Sequence, residues 1–166
     1  VGSEMCKETA IDLKLVEEAG FFRRTLECAV VKLVCEKAAG KELSDDFVLA
    51  LKANLNLQDF YLENPAPDKL MELDNEFHHL LFSCVDKERC YRMCCDMGIH
   101  FDRIRHLALH TVKELKIVGD HHDILSAICA CDADRAYALM AAHLTRFEID
   151  EKLIKNKYLF LYTSDA

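Results

Sequence analysis

The chain has 166 residues, 51% of them hydrophobic, with only 5 Gly and 2 Pro, so it reads as one domain able to bury a sizeable core, with little to interrupt long helices. Its formal net charge of -8 and pI near 5.5 are of the wrong sign for a surface that grips nucleic acid by neutralising phosphates. The 9 cysteines are an odd count without a C-x-x-C pair or a signal segment, which argues against a disulfide scaffold and for a reducing cytoplasm, and no apolar run is long enough for a membrane span.

An all-α fold of about six or seven helices follows. The first covers Ile11 to Ala39, with a possible break at Gly20, an apolar stripe of Leu26, Val30, Leu33 and Val34, and an end at Gly40. Ser44 is the N-cap of a second helix running to Leu62, and Pro65-Ala66-Pro67 then forces a turn. A third helix spans Asp68 to Val85. The fourth runs from Lys87 to about Thr111 with a bend at Gly98, and Val112 to Gly119 is a connection. Helix five starts at Asp120 and ends near Cys131, and helix six covers Ala133 to Ile154. Cys90, Cys94, Cys95, Cys129 and Cys131 fall among helical apolar positions, where reduced thiols act as small hydrophobes.

Four polar residues stand on inward stripes. In the third helix Leu70, Leu73, Phe77, Leu81 and Val85 recur at helical spacing, and Asp74 and His78 fall within that arc. Residues four apart differ by about 40° around the axis and about 6 Å along it, so both side chains can reach one ion. His121 shares its face with Ile124, Leu125 and Ile128, and His143 continues the Ala136, Leu139, Met140, Phe147 stripe. If the turn between these two helices centres on Asp132, each histidine lies 11 residues from it. In an antiparallel hairpin both then stand at the same height, roughly 16 Å from the turn.

Each residue also has a plainer account: a histidine on an apolar face can be a hydrogen-bonded core residue, and an Asp-His pair four apart can be a salt link. Four such residues in one interior favour a shared metal ion, because unpartnered burial of polar groups costs several kcal/mol. His79 and His122 flank the inward positions. His100, His106 and His110 lie on a helix carrying Arg103 and Arg105, whose charge disfavours a cation and makes that face either solvated or an anion-holding wall.

The run Leu73-Asp74-Asn75-Glu76-Phe77-His78-His79-Leu80 resembles the D-x-x-F-H-x-x-L helix of the FCD effector-binding domain of GntR-family bacterial transcription regulators. Asp120-His121 with Ile124-Leu125 and Ala127-Ile128 resembles that family's E-H-x-x-I-L-x-A-I segment, with Asp120 in place of the usual Glu. Ala136, Met140 and His143-Leu144 resemble its A-x-x-x-M-x-x-H-L helix, and Arg23, Leu26 and Glu27 its R-x-x-L-E opening. The resemblance spans Leu13 to Glu148, with the motifs in the family's order.

What the resemblance implies is an antiparallel helical bundle with a central cavity, usually dimeric, in which Asp74, His78, His121 and His143 hold a divalent metal that helps bind a small organic acid. Zinc comes first for the ion, with nickel, manganese, cobalt and iron(II) also suited to three imidazoles and a carboxylate. Arg103, Arg105 and Arg23 are candidates for the acid's carboxylates, which guanidinium matches bidentately. In that family DNA is engaged by an N-terminal winged helix-turn-helix domain, and none is read before Ile11. Residues 1–10 are therefore expected to be a leading segment or cloning remnant, 11–154 the effector domain and 155–166 a tail containing Tyr158 and Tyr162, whose role is left open. A non-enzymatic sensor is the expectation. Two alternatives remain: an HD-type metal phosphohydrolase using His122 and Asp123, and a metal-free helical interaction module. A di-iron carboxylate bundle is weaker, because Glu76-Phe77-His78-His79 supplies one E-x-x-H where two are needed.

Overall fold

The computed structural model describes residues 11–111 and 117–157, with side chains for 11–106 and 117–145. Seven helices stand among the described residues: α1 Leu13–Ala39, α2 Asp45–Glu63, α3 Pro67–Cys84, α4 Glu88–Met97, α5 Ile99–Thr111, α6 Ile117–Cys129 and α7 Ala133–Lys157. The all-α expectation holds. Residues 1–10, the side chain of His110 and the Tyr158 to Tyr162 stretch lie outside the described set.

Local chemistry accounts for the helix starts. Asp12 caps α1 by accepting from the backbone N–H of Lys14 at 2.9 Å, and Ser44 caps α2 by accepting from that of Phe47 at 3.1 Å. Pro67 opens α3 at a position where a missing N–H costs nothing.

Several expected boundaries are corrected. Gly20 does not interrupt α1; a Cβ there would only touch Phe101 at 3.6 Å, and one glycine costs a long helix about 1 kcal/mol. Gly98 does more than bend the fourth helix: it separates α4 from α5, capping α4 through its N–H on the Cys95 carbonyl. The stretch ending at Gly119 is not all connection, since α6 begins at Ile117 and takes in Val118 and Gly119. Gly40 ends α1, but the left-handed residue after that helix is Lys41, with φ 59°. Of the cysteines read as apolar fillers, Cys94 is buried, Cys90 half-buried, and Cys95, Cys129 and Cys131 exposed. All the described cysteines are free thiols.

Two apolar clusters stack along the bundle. The larger includes Val31, Val34, Leu55, Phe77, Phe82, Ile124, Ile128 and Met140. The smaller includes Ile11, Val16, Ala19, Leu70, Phe101, Ile104, Ile117 and Val118. On α1, α3 and α6 the chain meets the smaller cluster first and the larger one later, and α7 runs antiparallel to α1, with Lys32 Nζ 3.2 Å from Asp134 Oδ1. Between the clusters lies a level of buried polar residues: Arg23, Glu27, Asp74, His78, Arg105, His121 and His143. Apolar packing above and below fixes the height at which these side chains meet.

Candidate metal centre

Asp74, His78, His121 and His143 come together, one ligand-type atom from each lying within 4.8 Å of the others. Their relative exposures are 4%, 1%, 0% and 1%. His143 Nε2 stands 3.2 Å from both His78 Nε2 and His121 Nε2. Asp74 Oδ1 is 3.4 Å from His121 Nε2 and 4.0 Å from His78 Nε2. With metal–ligand bonds of about 2.0–2.1 Å, two donors on one tetrahedral ion are roughly 3.4 Å apart and adjacent donors on an octahedral ion roughly 3.0 Å. The observed separations fall around those values, and Asp74 Oδ1 is buried with no hydrogen-bond partner.

The far side of each ring explains the convergence. His121 Nδ1 faces Gln58 Oε1 at 2.9 Å, His143 Nδ1 faces Asp120 Oδ2 at 3.4 Å, and His78 Nδ1 contacts Glu27 Oε2. A proton on Nδ1 of His121 and of His143 satisfies Gln58 and Asp120 and leaves those two Nε2 lone pairs aimed at the place that His78 Nε2 and Asp74 Oδ1 also border. Such an arrangement is repulsive unless a cation sits there, and an acceptor behind each ring is what orients metal-binding histidines. Phe77 stacks on His121 with ring centroids 4.1 Å apart. Burial, and then the charge of His143 and His78, hold His121 well below the usual imidazole range; burial lowers His143 to about 4, although its hydrogen bond to Asp120 works the other way. Both rings are therefore neutral at pH 7, as ligation requires.

Two buried arginines border the cluster. Arg105 on α5 pairs through Nη2 with Asp74 Oδ2 and through Nη1 with Asp102 Oδ1 at 2.6 Å. Arg23 binds Glu27 Oε1 through Nε at 2.7 Å and lies over the Phe101 ring, 5.2 Å from its centre. Burial alone would push the Glu27 carboxyl up, but Arg23 and His78 outweigh it and hold Glu27 well below the carboxylate range. At Arg105 the α5 face is thus a buried wall rather than a solvated one, whereas Arg103 is half-buried. His106, exposed, pairs with Asp68 Oδ1 at 2.9 Å.

The phosphohydrolase alternative is overturned by direction. His122 is exposed and paired with Asp59 Oδ2 at 3.0 Å, and Asp123 is exposed, while His121 and Ile124 take the inward positions. Sequence reasoning placed the four ligand-type residues but gave no role to Glu27, Gln58 or Asp120. The signal was present: Leu51, Asn54, Leu55 and Gln58 form an inward stripe on α2 with two polar members, the same pattern that singled out Asp74 and His78.

Residues 18–146 match the FCD domain family. Over 144 residues the chain is 28% identical to the HTH-type transcriptional repressor RspR of Escherichia coli strain K12, a match covering 86% of this chain and 60% of that protein. It is similar to the same extent to an uncharacterised HTH-type transcriptional regulator, YdfH, of Shigella flexneri. The chain thus spans 60% of the length of these curated relatives.

Proposed function

This chain belongs to the FCD domain family, the regulatory and non-enzymatic effector domain of GntR-type regulators, and on that premise we propose that it is a metal-dependent sensing domain for a small organic acid. The observation carrying this reading is the convergence of three Nε2 atoms and Asp74 Oδ1 in a buried level, each ring held from behind by an acceptor. Asp74, His78, His121 and His143 would hold a divalent ion, zinc first among the candidates. When bound, the ion supplies a fixed positive charge with roughly one or two coordination positions open to a carboxylate.

The chain's own residues favour an acid over a neutral ligand. Arg105 is buried beside Asp74 and offers a planar guanidinium whose fork matches a carboxylate. A carboxylate held there would draw Arg105 from Asp74 or Asp102, and α5 carries that change to the smaller apolar cluster through Phe101 and Ile104. Arg23 is the second cationic candidate and Arg103 the third. In this reading DNA contact belongs to an N-terminal winged helix-turn-helix domain outside residues 1–166, and a homodimer is the proposed assembly. Among the described residues no helix is long and apolar enough to cross a membrane.

A thermal-shift screen of small carboxylic acids, run with and without chelator, tests this reading. Stabilisation by an acid only when metal is present is expected. If no acid stabilises the metal-loaded protein, the sensing role falls; a protein that also takes up no metal would make the metal-free interaction module the better account.

A further inference from the structure

We propose that Asn54 and Gln58 of α2 are positioning residues for the metal centre, setting the tautomer of His121; this rests on the reading of Asp74, His78, His121 and His143 as an ion site. The partners of each side-chain amide fix which way it faces. Asn54 Nδ2 lies 3.0 Å from the backbone oxygen of Leu73 and 3.0 Å from Glu76 Oε2. Both partners only accept, so the Asn54 amide must present its nitrogen to them; the flipped amide would set its oxygen against two oxygens.

The rest is forced in sequence. With its nitrogen so placed, Asn54 turns Oδ1 toward Gln58, whose Nε2 donates to it at 2.6 Å. Gln58 is thereby left with Oε1 facing His121 Nδ1 at 2.9 Å. An oxygen there requires that His121 carry its proton on Nδ1, so Nε2 is a bare lone pair pointing at His143 Nε2 and Asp74 Oδ1. The relay begins at the carbonyl of Leu73, the neighbour of Asp74, and ends on a ring donated by α6. It links two of the four ligand-type residues through a helix that contributes none. Asn54 and Gln58 are both buried, with relative exposures of 3% and 1%, so water does not substitute readily for either.

The relay predicts a spectroscopic signature that a merely structural role would not produce. Nitrogen-15 correlation spectra of the metal-free protein at pH 7.5 should show His121 as the Nδ1–H tautomer. Gln58→Met keeps the side chain's length but removes the acceptor, so His121 should shift to a mixture of tautomers, and zinc affinity measured by chelator competition should fall roughly 10- to 100-fold. Asn54→Leu removes the acceptor that fixes the Gln58 amide, which is then free to flip, and should give His121 the same mixture of tautomers; this covers the case in which the methionine variant fails to fold. An Nε2–H tautomer in the wild type, or wild-type zinc affinity in folded Gln58→Met, overturns the proposal. A wild-type protein that binds no zinc sinks the ion site itself, whatever tautomer His121 shows.

Discussion

Asp74 splits its two oxygens: Oδ2 pairs with the Arg105 guanidinium, and Oδ1 faces His121 Nε2 at 3.4 Å with no hydrogen bond of its own. A buried carboxylate with one oxygen bound and the other aimed at imidazole nitrogens is poorly compensated unless a second cation completes it.

Removing Arg105 should therefore have a metal-dependent cost. Breaking a buried ion pair typically costs about 3–5 kcal/mol, so Arg105→Met should be destabilised by an amount of that order in chelator. Saturating zinc should restore much of it, since the ion compensates Asp74 in place of the guanidinium. The same variant should lose stabilisation by carboxylic acids. Denaturant melts in four conditions, with and without zinc and acid, measure this; equal destabilisation with and without zinc would contradict the shared role of Asp74.

Acid pH should weaken both the fold and the site. His121 and His143 have folded-state values below the usual imidazole range, His143 at about 4. Between that value and the ordinary one near 6.5 the unfolded chain binds more protons. The stability contributed by His143 is thus complete above about pH 6.5 and is lost as pH falls toward about 4, and His121, displaced in the same direction, loses its share with the same sign. Glu27, also held low, adds a loss at still lower pH. Melting temperature of the metal-free protein across this window tests the sign, and a rise on acidification would refute it.

Phe77 should matter as a packing residue of the site and not only of the core. It is fully buried and stacks on His121 with an interplanar angle of 18°. Phe77→Ala should cost about 3–5 kcal/mol and lower zinc affinity as the ring of His121 loses its support. Phe60→Ala, at a position 52% exposed, should leave zinc affinity unchanged. Chelator competition on both variants checks this, and wild-type zinc affinity in folded Phe77→Ala would contradict the role.

The adjacent histidine provides an internal control. His122 is exposed and bonds Asp59, facing away from the cluster. His122→Ala and Asp123→Ala should leave metal content unchanged and should expose no phosphoesterase activity to lose. Loss of zinc in either would return the hydrolase reading to consideration.

How much was legible in the sequence follows from what helical periodicity can see. Asp74, His78, His121 and His143 were visible because each is a polar residue on an apolar stripe, and burial is what spacing reports. Gln58 and Asn54 occupy the same kind of stripe on α2, and Arg23 and Glu27 do so on α1, where Val16, Ala19, Val30 and Val34 are buried on the same helix. Which acceptor stands behind which ring was not legible, because that depends on the relative heights of helices separated by turns. Helix ends were less readable still: Gly20 and Gly119 sit inside helices where a missing Cβ is tolerated, whereas Gly98 ends one. Glycine permits a break without demanding it.

The central claim is that four buried side chains hold one ion, and elemental analysis of the purified protein tests it most directly. About one divalent ion per chain is expected in the wild type, with loss of the ion in folded Asp74→Ala and His143→Ala and retention in His122→Ala. Full occupancy in both Asp74→Ala and His143→Ala, or a wild-type chain that takes up no divalent metal when it is supplied, would contradict the account.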